Sequence, residues 1–155
     1  MRITTYKSYI NQDFQNYLVK EKSTNYAKLD RLDTPSKVCE VMREVFHIHK
    51  FAEEKVFMIS LNTKNVPTAF FLISKGTVST ALVSTREIFI QALLSSAVRI
   101  IVCHNHPSQD VTPSKEDFQL TKKIQEAGLL LDIPLADHLI IGRDHYYSFS
   151  EQKLL

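Results

Sequence analysis

Chemistry in this sequence concentrates in one stretch, Cys103-His104-Asn105-His106-Pro107-Ser108, followed by Ser114-Lys115-Glu116-Asp117. Residues i and i+2 of an extended chain project to the same side, so His104 and His106 can aim both imidazoles at one point. Pro107 cannot extend a strand ladder and turns the chain away. Ser114 and Asp117 are three apart and share one face of the helix predicted to follow. If that helix packs across the strand end, a carboxylate meets the two imidazoles. Three nitrogen and oxygen ligands with an open fourth position form the pattern of a catalytic zinc site. Each part alone has a plainer reading: histidine pairs at this spacing arise by chance, and S-x-x-D resembles a helix capping box. Thr112-Pro113 offers its own cap and first-turn proline, which leaves Ser114 and Asp117 unexplained by capping. The whole spacing, H-x-H-x7-S-x2-D, is far more specific than its parts.

Positioning these residues requires a strand before them and a helix after them. VRIIVC at 98–103 is a continuous apolar run typical of a strand buried on both faces. The helix after the polar loop is expected from Thr112-Pro113 to about Ala127, with Gly128 as its C-terminal punctuation. Upstream, Thr34-Pro35 starts an amphipathic helix over 35–48, with Val38, Val41, Met42, Val45 and Phe46 at helical spacing. VFMISLN turns at Asn62–Asn65 and returns as PTAFFLIS, a predicted antiparallel pair, with a third short strand in STALV. Ser84-Thr85-Arg86-Glu87 has the form of a capping box opening a helix with Ile88, Phe89, Ala92 and Leu93 on one face. IPLADHLIIG and YYSFS close the chain as apolar segments. Residues 1–33 are polar with scattered aromatics and a weak helical pattern over 9–21, so they read as a helical leader or an arm. This order predicts an α/β fold, a mixed β-sheet sandwiched by helices.

Composition excludes several classes. At 155 residues and 44% hydrophobic the chain is one ordinary domain with a real core, neither disordered nor fibrous. No apolar run approaches the ~18 residues of a membrane span, and the first residues lack the apolar core of a signal peptide. Cys39 and Cys103 read as free thiols of a reducing, cytoplasmic setting rather than a disulfide framework. The net charge is only +2, split between a +3 first third (1–50) and a −1 remainder (51–155), with no Lys/Arg cluster of the kind that marks a nucleic-acid groove.

The spacing unit, with STREIFIQALLSSAVRIIVCHNHPS before it and IPLADHLIIG after it, resembles the JAB/MPN+ (JAMM) metallopeptidases, and most closely their RadC-like branch. The resemblance covers Thr34 to Leu155, with residues 1–33 as the separate leader. It implies the cytidine-deaminase-like JAB/MPN architecture, in agreement with the element order. Carried onto this sequence, it implies one zinc ion per chain held by His104, His106 and Asp117, with water as fourth ligand. It implies that Ser114 stabilises the oxyanion or orients that water, and that an upstream glutamate acts as general base. Glu54 is the favoured match and Glu53 its alternative. The reaction implied is hydrolysis of an amide or isopeptide bond in a peptide or protein substrate. Asp137-His138, also shared with RadC-like chains, is expected as a structural pair at a strand end, with a role behind the ligating histidines as the alternative. Cys103 is expected to be an inert core residue, and His47, His49 and His145 surface or helix-end residues.

Three rivals are weighed. RadC-like proteins have carried a DNA-repair label, but the 33-residue leader is too short for the helix-hairpin-helix region of the larger proteins, and the first glycine is Gly76. The basic leader could still contact nucleic-acid phosphates weakly. Zinc deamination needs H-x-E with P-C-x-x-C, and neither cysteine has such a partner. A binding module that kept the fold and lost turnover remains open, although such relatives usually lose ligands and this chain keeps them. Groove rims are expected at 107–113 and 65–80, and the open sheet edges allow a dimer.

Overall fold

The computed structural model describes residues 1–76 and 83–155. Strands β1 (Arg2–Ile10) and β2 (Asn16–Asn25) come first, followed by α1 (Pro35–Glu44), β3 (Lys55–Leu61) and β4 (Pro67–Lys75). Then come α2 (Thr85–Leu94), β5 (Arg99–His104), α3 (Lys115–Leu130), β6 (Leu135–Ile141) and β7 (Tyr146–Ser148). Among the described residues the strands form one mixed sheet in the order β2-β1-β4-β3-β5-β6-β7. The β1–β4 and β5–β6 pairs are parallel and the others antiparallel. The α/β class is as the sequence implies. Most of the expected third strand, STALV, lies outside the described residues.

Strand alternation divides the core into two layers. Phe57, Ile59, Ile101 and Cys103 face α1 and pack with Val38, Val41 and Met42. Val56, Met58, Ile100 and Val102 face the other way, against Ile88, Phe89 and Ala92 of α2 and Leu120 and Ile124 of α3. Each Val, Leu, Ile, Phe or Met among them contributes about 1.5–3 kcal/mol when fully buried. This parity also sets the chemistry, because His104 continues the even-numbered set and so projects toward α3.

Three expectations first give way to the structure. Residues 2–25 form a β-hairpin that joins the sheet through β1 and β4, not a helical leader. Its turn contains no glycine; the Asn11 side chain accepts from the Asp13 and Gln15 amides, and Phe14 takes a positive φ of 60°. Ser84 precedes α2 but makes no side-chain capping bond, so that box does not form. Thr112 donates its amide to Asp110 Oδ1 in a side-chain turn, and α3 is capped by Ser114, which forms a full capping box with Asp117. Thr34 does cap α1, as its sequence suggests.

Gly128 does not end α3, which runs two residues further. It is instead where the chain crosses the helix on its way into β6. A Cβ there would stand 2.6 Å from the Ile133 main-chain oxygen. Gly128→Ala is therefore expected to lower stability by about 1–3 kcal/mol through overpacking, read as a lower denaturation midpoint. An unchanged midpoint would show that the turn into β6 can move aside.

Candidate metal centre

His104 ends β5, with its side chain buried, and His106 follows two residues later, partly exposed. Their Nε2 atoms stand 3.1 Å apart. Asp117, in the first turn of α3, brings Oδ1 to 3.1 Å from His104 Nε2 and Oδ2 to 3.5 Å from His106 Nε2. One ligand atom from each of the three lies within 4.8 Å of the others. The capping box that starts the helix also aims the carboxylate. Ser114 donates both its amide (2.7 Å) and its hydroxyl (2.6 Å) to Asp117 Oδ2. That leaves Oδ1 buried without a hydrogen-bond partner. It lies 3.1 Å from His104 Nε2 without a hydrogen bond to it, so proximity there is not satisfaction. The expectation that capping does not explain Ser114 and Asp117 is thus corrected, since one pair of residues caps the helix and orients a candidate ligand.

The site's electrostatics suit a cation. Burial works against ionisation of Asp117, but the imidazoles of His104 and His106 and the Ser114 hydroxyl outweigh it and hold the carboxyl well below the usual range. For His106, burial favours the neutral ring; Asp117, the Asp110 carbonyl and the nearby charge of Glu54 outweigh that and raise its pKa. His106 Nδ1 lies 2.7 Å from the Asp110 main-chain oxygen, which can only accept. Nδ1 therefore carries a proton, and Nε2 is the nitrogen that faces the centre. Two imidazole nitrogens and an unsatisfied carboxylate oxygen converge on one point, and this donor set can hold a metal ion.

His138 was expected to be mainly structural, yet it stands directly behind a ligand. Val102 pairs with His138 in the β5–β6 ladder, so His138 shares the even-numbered face with His104. Its Nε2 is 3.0 Å from His104 Nδ1, and its Nδ1 is 2.6 Å from Thr121 Oγ1. Burial, followed by the neighbouring His104, pushes the His138 pKa well below normal. Asp137 turns to the opposite face, where it accepts from the Ser148 hydroxyl and the Ser150 amide. Cys103 is buried in the α1 layer, and burial raises its thiol pKa well above the ordinary value. His47 and His145 are exposed and His49 is half-buried.

The β3–β5 register ends with Val56 opposite His104, two residues from Glu54 and from His106, and the charge of Glu54 contributes to raising the His106 pKa. Glu53 is exposed, with Oε1 3.5 Å from Lys55 Nζ, and Lys55 lies over the Phe51 ring on the other side. Between the histidines, Asn105 is fully buried and clamps this segment. Its Oδ1 accepts from the Lys55 amide at 3.0 Å, and its Nδ2 donates to the Glu53 carbonyl at 3.2 Å. Asn105 thus brackets Glu54 from both sides. Sequence reasoning missed it, although a polar residue between two ligands at a strand end is a recoverable signal. Of the expected groove rim at 65–80, residues 77–80 lie outside the described residues, and the rim begins away from the centre. Asn65 sits at the far end of β3, about 20 Å along a seven-residue strand. The 107–113 loop does border the cluster, through the Asp110 carbonyl.

A family model for the RadC-like JAB domain matches residues 32–154. A UPF0758 protein of Clostridium novyi is 45% identical over 105 residues, covering 68% of this chain and 46% of that protein. One from Clostridium botulinum (strain Okra) is 39% identical over 145 residues, covering 94% of this chain and 60% of that protein. The chain thus spans three-fifths or less of the length of these curated relatives. The family match begins just before α1, ends beyond the last strand and takes in every member of the His-His-Asp cluster, so the chain belongs to the RadC-like JAB domain family.

Proposed function

We propose that this chain is a zinc-dependent hydrolase of amide or isopeptide bonds, acting on a peptide or an isopeptide-linked protein. The observation that carries the reading is the buried, unsatisfied Asp117 Oδ1 facing two convergent imidazole nitrogens. His104, His106 and Asp117 would hold the ion. Bound zinc supplies Lewis acidity, lowering the pKa of water toward ~7 and polarising a scissile carbonyl. Glu54 takes the proton of the attacking water and delivers it to the leaving amine. Ser114 spends its hydroxyl proton on Asp117, so an oxyanion role requires that bond to be redirected, and we assign Ser114 first to holding the carboxylate in line. Two free, buried cysteines support a reducing, cytoplasmic setting. Among the described residues no helix is long and apolar enough to cross a membrane.

The test is a panel of peptide and isopeptide conjugates incubated with protein purified without chelator. Cleavage is expected, with loss on chelation and recovery on adding one equivalent of zinc. Protein that carries zinc but cleaves nothing in the panel, or cleavage indifferent to chelation, would overturn the hydrolase reading.

A further inference from the structure

The hydrogen bonds behind His104 form a chain whose polarity can be read from one end. Thr121, one turn after Asp117 in α3, donates its hydroxyl to the Asp117 main-chain carbonyl at 2.6 Å. A hydroxyl has one proton, so toward His138 Nδ1, 2.6 Å away, the Thr121 oxygen can only accept. His138 Nδ1 therefore carries hydrogen. Across the 3.0 Å contact between His138 Nε2 and His104 Nδ1, one nitrogen donates and the other accepts. A proton on His138 Nε2 would make His138 a fully buried imidazolium, with His104 and Thr121 as its polar neighbours and, among the described residues, no carboxylate in hydrogen-bond contact. Burying such a charge unpaired is costly. The proton therefore sits on His104 Nδ1, and His104 Nε2 is bare.

We propose that Thr121 and His138 are positioning residues that lock His104 in its Nδ1–H tautomer, so that Nε2 faces the centre as a lone pair before any metal arrives. The chain runs from the main-chain carbonyl of one candidate ligand, Asp117, to the ring of another, His104. It ties α3 to β6 and β6 to β5, and Phe149 stacks on the His138 ring at 5.1 Å and 10° to hold it in plane. The consequence for metal binding rests on the zinc reading above; the tautomer does not.

The test is nitrogen-15 NMR of the imidazoles in metal-free protein at neutral pH, paired with zinc titration against a competing chelator. In the wild type, His104 is expected with hydrogen on Nδ1. Thr121→Val keeps the side-chain shape but removes both the donor to Asp117 and the acceptor for His138. His138 then shifts its hydrogen to Nε2 and donates to His104 Nδ1, which forces the His104 hydrogen onto Nε2. The expected results are that tautomer switch and zinc affinity lower by about 10–100-fold. Thr121→Ser is expected to restore both. Hydrogen on His104 Nε2 in the wild type overturns the relay and decides the matter even if the valine variant fails to fold. A folded valine variant with unchanged tautomer and affinity also overturns it. The expected tautomers in a protein that takes up no zinc support the relay while the zinc reading fails. Zinc binding with His104 in the other tautomer does the reverse.

Discussion

Zinc measured by mass spectrometry is expected near one ion per chain in protein purified without chelator, and below about a tenth of that in His106→Ala. Three protein ligands leave a site tight because each pre-places the others. With His106 gone, only His104 and Asp117 remain, and solvent must supply half of a four-coordinate shell. His106 is the cleanest ligand to remove, since it is partly exposed and its loss leaves no large cavity. His104, by contrast, is buried against His138, and its truncation would disturb the core as well. The circular dichroism of His106→Ala should match the wild type. A metal must displace the proton that His106 otherwise binds, and Asp117 and the Asp110 carbonyl raise that proton's affinity. The sign follows: occupancy is full above the raised pKa of His106 and declines as pH falls through it, earlier than for an unperturbed histidine. An undiminished zinc ratio in His106→Ala would remove this cluster as the metal site.

Glu54→Gln is expected to reduce turnover of a cleavable substrate by about 10²–10⁴-fold while leaving zinc content unchanged. The amide keeps the size of the side chain and removes its capacity to take a proton. Glu54 contributes to raising the His106 pKa, so its charge acts at the centre. Glu53 lies toward Lys55 on the other side, so Glu53→Gln should alter turnover by less than about threefold, as surface substitutions do. Equal turnover in Glu54→Gln and wild type would end the general-base assignment. Loss of zinc in that variant would recast Glu54 as a ligand or a structural support.

Much of the centre is legible because its logic is local. The i, i+2 spacing of His104 and His106 at the end of an apolar run requires only an extended chain, and β5 supplies it. The Thr34 cap, the β3–β4 pair and the two-sided burial of β5 follow likewise from short-range pattern. The N-terminal hairpin escaped because its faces are mostly exposed, which blurs period-two alternation. Its turn is also built on an asparagine side chain and a positive-φ phenylalanine rather than on glycine.

What the sequence alone determined is the candidate ligand set and the strand and helix that carry it. Tertiary structure decided which of two adjacent caps begins α3, and the outcome places Asp117 within reach of His104. Tertiary structure also decided that His138, 34 residues from His104, stands behind it, and that Asn105 fixes the backbone on either side of Glu54. These contacts depend on strand register across β3, β5 and β6. Register is set by the summed burial of both sheet faces, and one residue of slip would turn every side chain of a strand to the opposite face. No local window of sequence contains that sum.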